Sequence, residues 1–410
     1  MTVVVPLCLE ATMISAKKDY KYDLTNYVFS LVALNIVSAV FWMILVNSLS
    51  EQFEELFLID IKYINCIIIY CMFYPVVTIF QTWERFIYKY KITVLISIVL
   101  AVGVAALSVV MTIVLPDKLN GAIFGRTVPA ILIGVALVIW FISKKSKIRI
   151  AYWKYAIPIS LPYIPHLLAI TLLGAVNRIF VIQICGAEAN GLYSLAYNCG
   201  QIISIFVTSL NNAFSPWLGD KLTERDYDSI RRICKPYLLV FGVSVLLISL
   251  LAPEILLVLG GESYIEAVYV IPPVAMGCIL QFAYCMYVNI EQYEKKTGGM
   301  AIASISAALL DILLCSVLIP RYGYIAAAIA TAIAYCWLLL VHYCLVRHIG
   351  MQNVYNDRLV ICASLFFCAL VGICSLLYNY IIIRIILIIS ITISVIIFYL
   401  MSKDKIKQII

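Results

Sequence analysis

The chain has 410 residues, 64% of them hydrophobic and 12% charged, with a mean hydropathy of +1.03. Soluble globular proteins carry roughly 25% charge and about 45–50% apolar residues. Apolar blocks of about 20 residues, enough to cross a ~30 Å hydrocarbon core, fill the sequence, which excludes a set of soluble domains and leaves no length for a catalytic one. The net charge of +7 comes without a basic–aromatic patch, so it does not point to nucleic acid.

Residues 2–14 are apolar, too short to span and carry Glu10. They lack the basic start and small-residue cleavage site of a signal peptide, and read as the tail of an incoming helix. Twelve spans then follow, at 25–46, 61–81, 92–115, 121–142, 157–185, 191–217, 236–259, 267–290, 300–319, 323–346, 359–378 and 381–401. Pro158, Pro162 and Pro165 remove backbone donors from the fifth and predict a kink there. Only Tyr378-Asn379-Tyr380 separates the last two.

Lysine and arginine accumulate in cytoplasmic loops. Alternate loops hold 23 of the 29 basic residues, in groups such as Lys17, Lys18 and Lys21, the run from Lys144 to Lys154, and Lys403, Lys405 and Lys407. The opposite loops hold only Lys62, Lys118 and Arg321, with acids such as Glu51, Glu54 and Asp60. This alternation predicts a multi-pass protein with the 144–154 segment and the C-terminus in the cytoplasm.

Metal and redox chemistry have little support. No two of the 14 cysteines have the two-residue gap of a metal knuckle, and the three histidines are scattered. No phosphate loop is present. No cofactor or metal is expected.

An ionisable side chain inside a span costs at least ~2.5–3.5 kcal/mol and usually faces a cavity or a partner. Arg126, Arg178 and Asp311 are such residues. The arginines suit an oxyanion, which a planar guanidinium fork grips at two oxygens. Snorkelling by Arg126, a structural contact by Arg178 and a salt bridge by Asp311 are the competing readings. Arg384 starts the last span and reads as its anchor. Asn198, Gln201 and Asn212 fall near one helix face and could form a sugar-accepting wall; bonding between helices explains them equally well.

Several ordered stretches carry a resemblance to a family. They are Gln81-Thr-Trp-Glu-Arg-Phe, Ala156-Ile-Pro-Ile-Ser-Leu-Pro162 running on to Asn177-Arg178, Gly191-Leu-Tyr-Ser-Leu-Ala-Tyr, and Ser209-Leu-Asn-Asn-Ala-Phe-Ser-Pro-Trp217. Ala252-Pro-Glu-Ile-Leu, Asn289-Ile-Glu-Gln-Tyr-Glu-Lys-Lys-Thr297 and Leu318-Ile-Pro-Arg-Tyr-Gly-Tyr324 complete them. Together they resemble the O-antigen and capsule repeat-unit flippases of the multidrug/oligosaccharidyl-lipid/polysaccharide exporter superfamily.

The resemblance implies an all-α polytopic membrane protein with two pseudo-symmetric lobes around a cavity, plus two C-terminal helices. Mapped here, residues 1–143 form a first lobe of four full spans, shortened at its start. Residues 144–156 are a cytoplasmic linker, 157–346 a six-span second lobe, and 347–410 two added spans with a basic tail. An echo supports the repeat: Trp83-Glu84-Arg85 and Tyr293-Glu294-Lys295 each end a helix six spans apart.

The implied activity is translocation of a polyprenyl-diphosphate-linked oligosaccharide across the bacterial cytoplasmic membrane. Its candidate substrate residues are Arg178, Arg126, Asn177, Asn198, Gln201, Asn212 and Asp311. Cytoplasmic-gate candidates are Gln81, Glu84, Arg85, Glu291, Glu294 and Lys295. Implied partners are the lipid-linked oligosaccharide, membrane lipids, and the polymerase and glycosyltransferases of the same pathway. A cation-coupled multidrug exporter is the alternative, though Glu10 is the only deep first-lobe carboxylate to serve it. A membrane polymerase or glycosyltransferase would need a substantial outer loop, and the longest, residues 47–60, is too short.

Overall fold

The computed structural model describes residues 1–407, with side chains to residue 397, and every regular element among them is helical. The basic tail at Lys403, Lys405 and Lys407 falls where side chains are outside the described set. A 3-10 turn, Leu9–Thr12, leads into α1 (Met13–Asp19). Then come α2 (Leu24–Ser48), the short α3 (Ser50–Phe57), α4 (Ile61–Phe86), α5 (Tyr90–Val114) and α6 (Lys118–Ser143). α7 (Ile150–Ser160) and α8 (Tyr163–Gly200) follow, then α9 (Ile202–Glu224), α10 (Tyr227–Leu250) and α11 (Ala252–Gly260). A second 3-10 stretch, Glu262–Val270, precedes α12 (Ile271–Tyr293), α13 (Gly298–Tyr322), α14 (Ile325–His348), α15 (Asp357–Leu376) and α16 (Ile381–Lys407).

Helix is forced here because hydrocarbon offers backbone amides no partner, so even β-branched runs such as that of α5 bond internally. Side chains close the exposed ends: Asp117 accepts from the amides of Leu119 and Asn120, Asp226 from Ser229, and Asn356 from Leu359. The proline-rich stretch breaks at Leu161–Pro162, between α7 and α8. Residues 2–14 hold little helix, but Leu9, Met13 and Ile14 are buried.

Ten stretches among the described residues are long and apolar enough to cross a membrane, against twelve expected. Two features account for the difference. Tyr163–Glu224 runs through as 62 residues, because its break at Gly186 (φ 91°) needs no loop; two crossings fit that length. Ile381–Ile397, the described apolar part of the last helix, is shorter than the others.

An internal repeat emerges at a constant register. Adding 207 to the bounds of α4, α5 and α6 gives 268–293, 297–321 and 325–350; α12, α13 and α14 occupy 271–293, 298–322 and 325–348. The helix ends match bond for bond. Ile87, Tyr88 and Lys89 donate to Trp83, Arg85 and Glu84, just as Glu294, Lys295 and Lys296 donate to Ile290, Gln292 and Glu291. Tyr88 and Lys295 both turn left-handed, at φ 61° and 60°. The true register therefore pairs Glu84 with Glu291, three residues away from the aromatic–acid–base echo. Side-chain chemistry at an interface repeats by chance more easily than a backbone cap does.

By contact the chain forms two units. Unit 1 is Met1–Leu168, Asn212–Glu224 and Asn289–Ile302; unit 2 is Ala169–Asn211, Arg225–Val288 and Ala303–Ile410. In unit 1, α5 lies so close along α6 that a Cβ on Gly121 or Gly125 would collide with its backbone, and the Gln81 amide of α4 bonds to Ser97 and to the Thr93 carbonyl of α5. In unit 2, Arg384 is buried and anchors α16, both terminal nitrogens reaching Glu254 at 2.7 Å and one also the Leu250 carbonyl.

Candidate functional site

Arg178 lies on α8 in unit 2, half-buried. One terminal nitrogen donates to Asn198 Oδ1 at 2.8 Å, and the guanidinium stands 5.6 Å over the Tyr197 ring. Its Nε is buried with no hydrogen-bond partner. A guanidinium held by one amide and one aromatic face, with donors to spare, is arranged for an anion. No carboxylate pairs with it among the described residues. Gln201 sits at the turn between α8 and α9, its backbone N–H donating to the Tyr197 carbonyl at 2.9 Å. Asn212 belongs to unit 1.

The neighbouring residue points elsewhere. Asn177 is fully buried; its amide donates to the Ala327 carbonyl at 3.3 Å and to the Thr331 hydroxyl, and its oxygen accepts from the Cys315 thiol. Asp311, also fully buried, lies beside this group. Asn177 and Asp311 are thus interior residues here, and Asn177 is one position from Arg178 on α8. Successive residues on a helix diverge by about 100°, so Asn177 and Arg178 read two different surroundings.

Arg126 lies on α6 in unit 1 and lines two cavities of about 630 and 450 Å3, both also touched by Tyr70. Its guanidinium is 5.7 Å from the Tyr70 ring, which stacks on Tyr74 at 4.9 Å. Gln81 lines the smaller cavity. Asp60, which also lines the larger one, is 3.3 Å from Lys62.

The basic helix ends hold a network the sequence did not single out. Lys17 pairs with Asp220 at 2.7 Å, Lys18 with Glu294 at 3.9 Å, and Asp19 with Lys295. All five chain segments involved lie in unit 1. Tyr88 donates to Asp220 at 2.5 Å and Tyr155 to Asp19 at 2.7 Å. Three successive α1 residues are thereby tied to the ends of α9 and α12. Burial alone would push the Asp19 carboxyl up, but hydrogen bonds from Lys295 and Tyr155, with the charges of Lys295 and Lys18, hold it below its usual range. Asp23 is held low too, chiefly by the Tyr152 hydroxyl and also by Asn26 and Arg149.

Of the gate candidates, Glu294 and Lys295 enter this network. Glu84 and Glu291 are buried at their equivalent helix ends, Arg85 bonds to Thr82 at 2.7 Å, and Gln81 ties α4 to α5. In the sequence Lys17 and Lys18 read only as topological charge, and no pattern marks Asp19 or Asp220. Their ionic partners are more than 200 residues away, so local spacing carries no signal.

The family model described as polysaccharide biosynthesis protein matches residues 1–222, more than half of the chain. The chain belongs to the polysaccharide biosynthesis protein family. The MatE family model matches residues 162–317, and the chain falls in the multidrug/oligosaccharidyl-lipid/polysaccharide exporter superfamily. It is similar to the Lsg locus protein 1 of Haemophilus influenzae, 22% identical over 215 residues covering 49% of this chain and 53% of that protein. The same organism has an uncharacterized membrane protein that is 24% identical over 136 residues, 33% of this chain and 34% of the relative. The chain spans about half the length, or less, of these relatives.

The fold is similar to the outward-facing conformation of a multidrug resistance MATE family transporter, with TM-score 0.66 and 13% identity over 86% of this chain and 85% of that one. A superfamily transporter from Pyrococcus furiosus gives TM-score 0.66 at 12% identity over the same shares. The two-lobed all-helical fold and multi-pass character expected from the sequence are thus borne out. A glycosyltransferase or polymerase reading is set aside, because the families matched are those of transporters.

Proposed function

We propose that this transporter flips a polyprenyl-diphosphate-linked oligosaccharide across the bacterial cytoplasmic membrane for surface polysaccharide synthesis, its C-terminus in the cytoplasm. The observation that carries the reading is the polysaccharide-family match over residues 1–222. The site chemistry agrees with it. A diphosphate and its sugars cannot enter hydrocarbon unaided; Arg178, with spare donors, suits the diphosphate, and Asn198, Gln201 and Tyr197 suit sugars. The lipid tail stays in the bilayer.

A second reading, drug export, draws on the MatE match at residues 162–317. One experiment separates them. The chain is expressed in two strains, one lacking a repeat-unit flippase and one lacking its major drug exporters. Restored surface polysaccharide with unchanged drug susceptibility is the expected result. Raised drug resistance without restored polysaccharide would overturn the flippase reading.

A further inference from the structure

The open end of the α5–α6 hairpin gathers positive charge that nothing neutralises. Along the hairpin Gly121 faces Met111 and Thr112, Gly125 faces Ser108, and Gly103 faces Pro129. The same antiparallel register, continued to the open end, sets Tyr90 at the start of α5 level with Ser143 at the end of α6. Lys89 and Lys91 therefore stand beside Lys144, Lys145 and Lys147, and all five are exposed. Like charges so placed repel. Other basic residues of unit 1 are paired: Lys17 with Asp220, Lys18 with Glu294, Lys295 with Asp19 and Arg149 with Asp23. Lys89 has the Glu84 carboxyl nearby. Among the described residues, Lys91, Lys144, Lys145 and Lys147 have no acidic partner.

The repeat shows that the backbone does not call for these cations. Lys144, Lys145 and Ser146 donate to Trp140, Ile142 and Phe141, as Ile349, Gly350 and Met351 donate to Leu345, Arg347 and Val346. By that match Lys144, Lys145 and Lys147 correspond to Ile349, Gly350 and Gln352, and Lys91 corresponds to Gly298. Lys145 is left-handed at φ 53°, where the other copy has Gly350 at φ 86°; a side chain costs energy there and glycine does not. The cytoplasmic bias of lysines holds whether or not acids accompany them, so topology does not explain why these four are bare.

Their surroundings suit a lipid. Trp83 and Trp140 meet with centroids 6.0 Å apart, and Lys144 Nζ lies 5.8 Å from the Trp140 ring centre. Tryptophan favours the headgroup level of a bilayer. Ile92, Ile139 and Ile142, on the same helix ends, are exposed and apolar, a surface for acyl chains. We propose that this hairpin end binds the phosphate of an anionic phospholipid in the leaflet it faces, the cytoplasmic one by the loop charges. The headgroup bridges Lys91 of α5 to Lys144, Lys145 and Lys147 of α6. One anion among like charges converts repulsion into charge-assisted bonds between two helices. The link matters most for α5, whose span buries no residue of its own.

The site does not depend on what the chain transports. Dioctanoyl phosphatidylglycerol, dioctanoyl phosphatidylcholine and glycerol phosphate are titrated onto the purified chain in detergent, with affinity and melting temperature as readouts. The variants are Lys91→Gln/Lys144→Gln/Lys145→Gln/Lys147→Gln, the single Lys145→Gly, and a control set on α10, Arg231→Gln/Arg232→Gln/Lys235→Gln. Wild type should bind phosphatidylglycerol about tenfold or more tightly than phosphatidylcholine, since each lysine near an anionic headgroup adds attraction, and should melt higher with it. The quadruple variant should lose the preference and the control set should keep it. Lys145→Gly should melt no lower than wild type without lipid, yet gain less from phosphatidylglycerol. Equal affinity for the two lipids in wild type would overturn the proposal, as would a preference that survives in the quadruple variant. A preference lost equally in the control set would reduce the effect to net charge and also refute the site. An equal rise in melting temperature with glycerol phosphate would assign the patch to a soluble phosphate and reject the lipid.

Discussion

Arg178 is useful because its guanidinium is engaged at one nitrogen and one face, leaving a fork for two oxygens. A charge-assisted hydrogen bond contributes roughly 1.5–3 kcal/mol, one to two decades in binding. Arg178→Ala at normal protein level should therefore lower polyprenyl diphosphate affinity by about 10- to 100-fold, measured by titration in nanodiscs. Arg178→Lys keeps the charge but loses the planar fork, and should fall between. Unchanged affinity in the alanine variant would remove Arg178 from the binding path. Asp19 gives a second residue-scale expectation. Its carboxyl is held low, so the Asp19–Lys295 contact contributes stability above the ordinary aspartate range and loses it as pH falls through the depressed value. Asp19→Asn should melt below the wild-type protein in detergent at pH 7, and the difference should shrink below about pH 4, where an ordinary aspartate is already half protonated. Equal melting temperatures at pH 7 would mean the Asp19 carboxylate does not hold these helix ends.

Among the elements, α5 depends most on backbone approach. Its central span has no buried residue, against 39% for the equivalent span of α13, so it is held chiefly along α6 and at the Gln81 contact. Gly125 faces the Ser108 backbone with no room for a side chain. Gly125→Leu should destabilise the folded protein by about 1–3 kcal/mol, the usual cost of overpacking, read as a lower melting temperature in detergent. An unchanged melting temperature would show that α5 can move aside freely. The same pairing had no reading from composition: glycines inside an apolar span look alike in sequence, and only the facing helix distinguishes Gly125 from Gly191, whose added Cβ would meet nothing.

Across the whole molecule, the alternation of basic loops predicts that the 144–154 segment and the C-terminus share the cytoplasmic side. Reporter fusions after Lys147 and after Lys405 should both report cytoplasm; opposite reports would mean a crossing has been miscounted between them. The molecule-scale repeat was legible only in part. Approximate helix bounds and the sites of breaks followed from apolar length, proline and glycine, since bilayer thickness acts on each segment separately.

The sequence by itself thus determined a multi-pass helical membrane protein, its family and its expensive residues, because hydrophobic length and the cost of buried charge are local properties written residue by residue. Tertiary structure alone decided what those residues face. It sent Asn177 into a buried network and left Arg178, one position on, with free donors. It moved the repeat register by three residues and joined Lys17, Lys18 and Asp19 to Asp220, Glu294 and Lys295. Each of these depends on which helices meet, and hydrogen-bond and ionic partners distant in the chain leave no trace in local spacing.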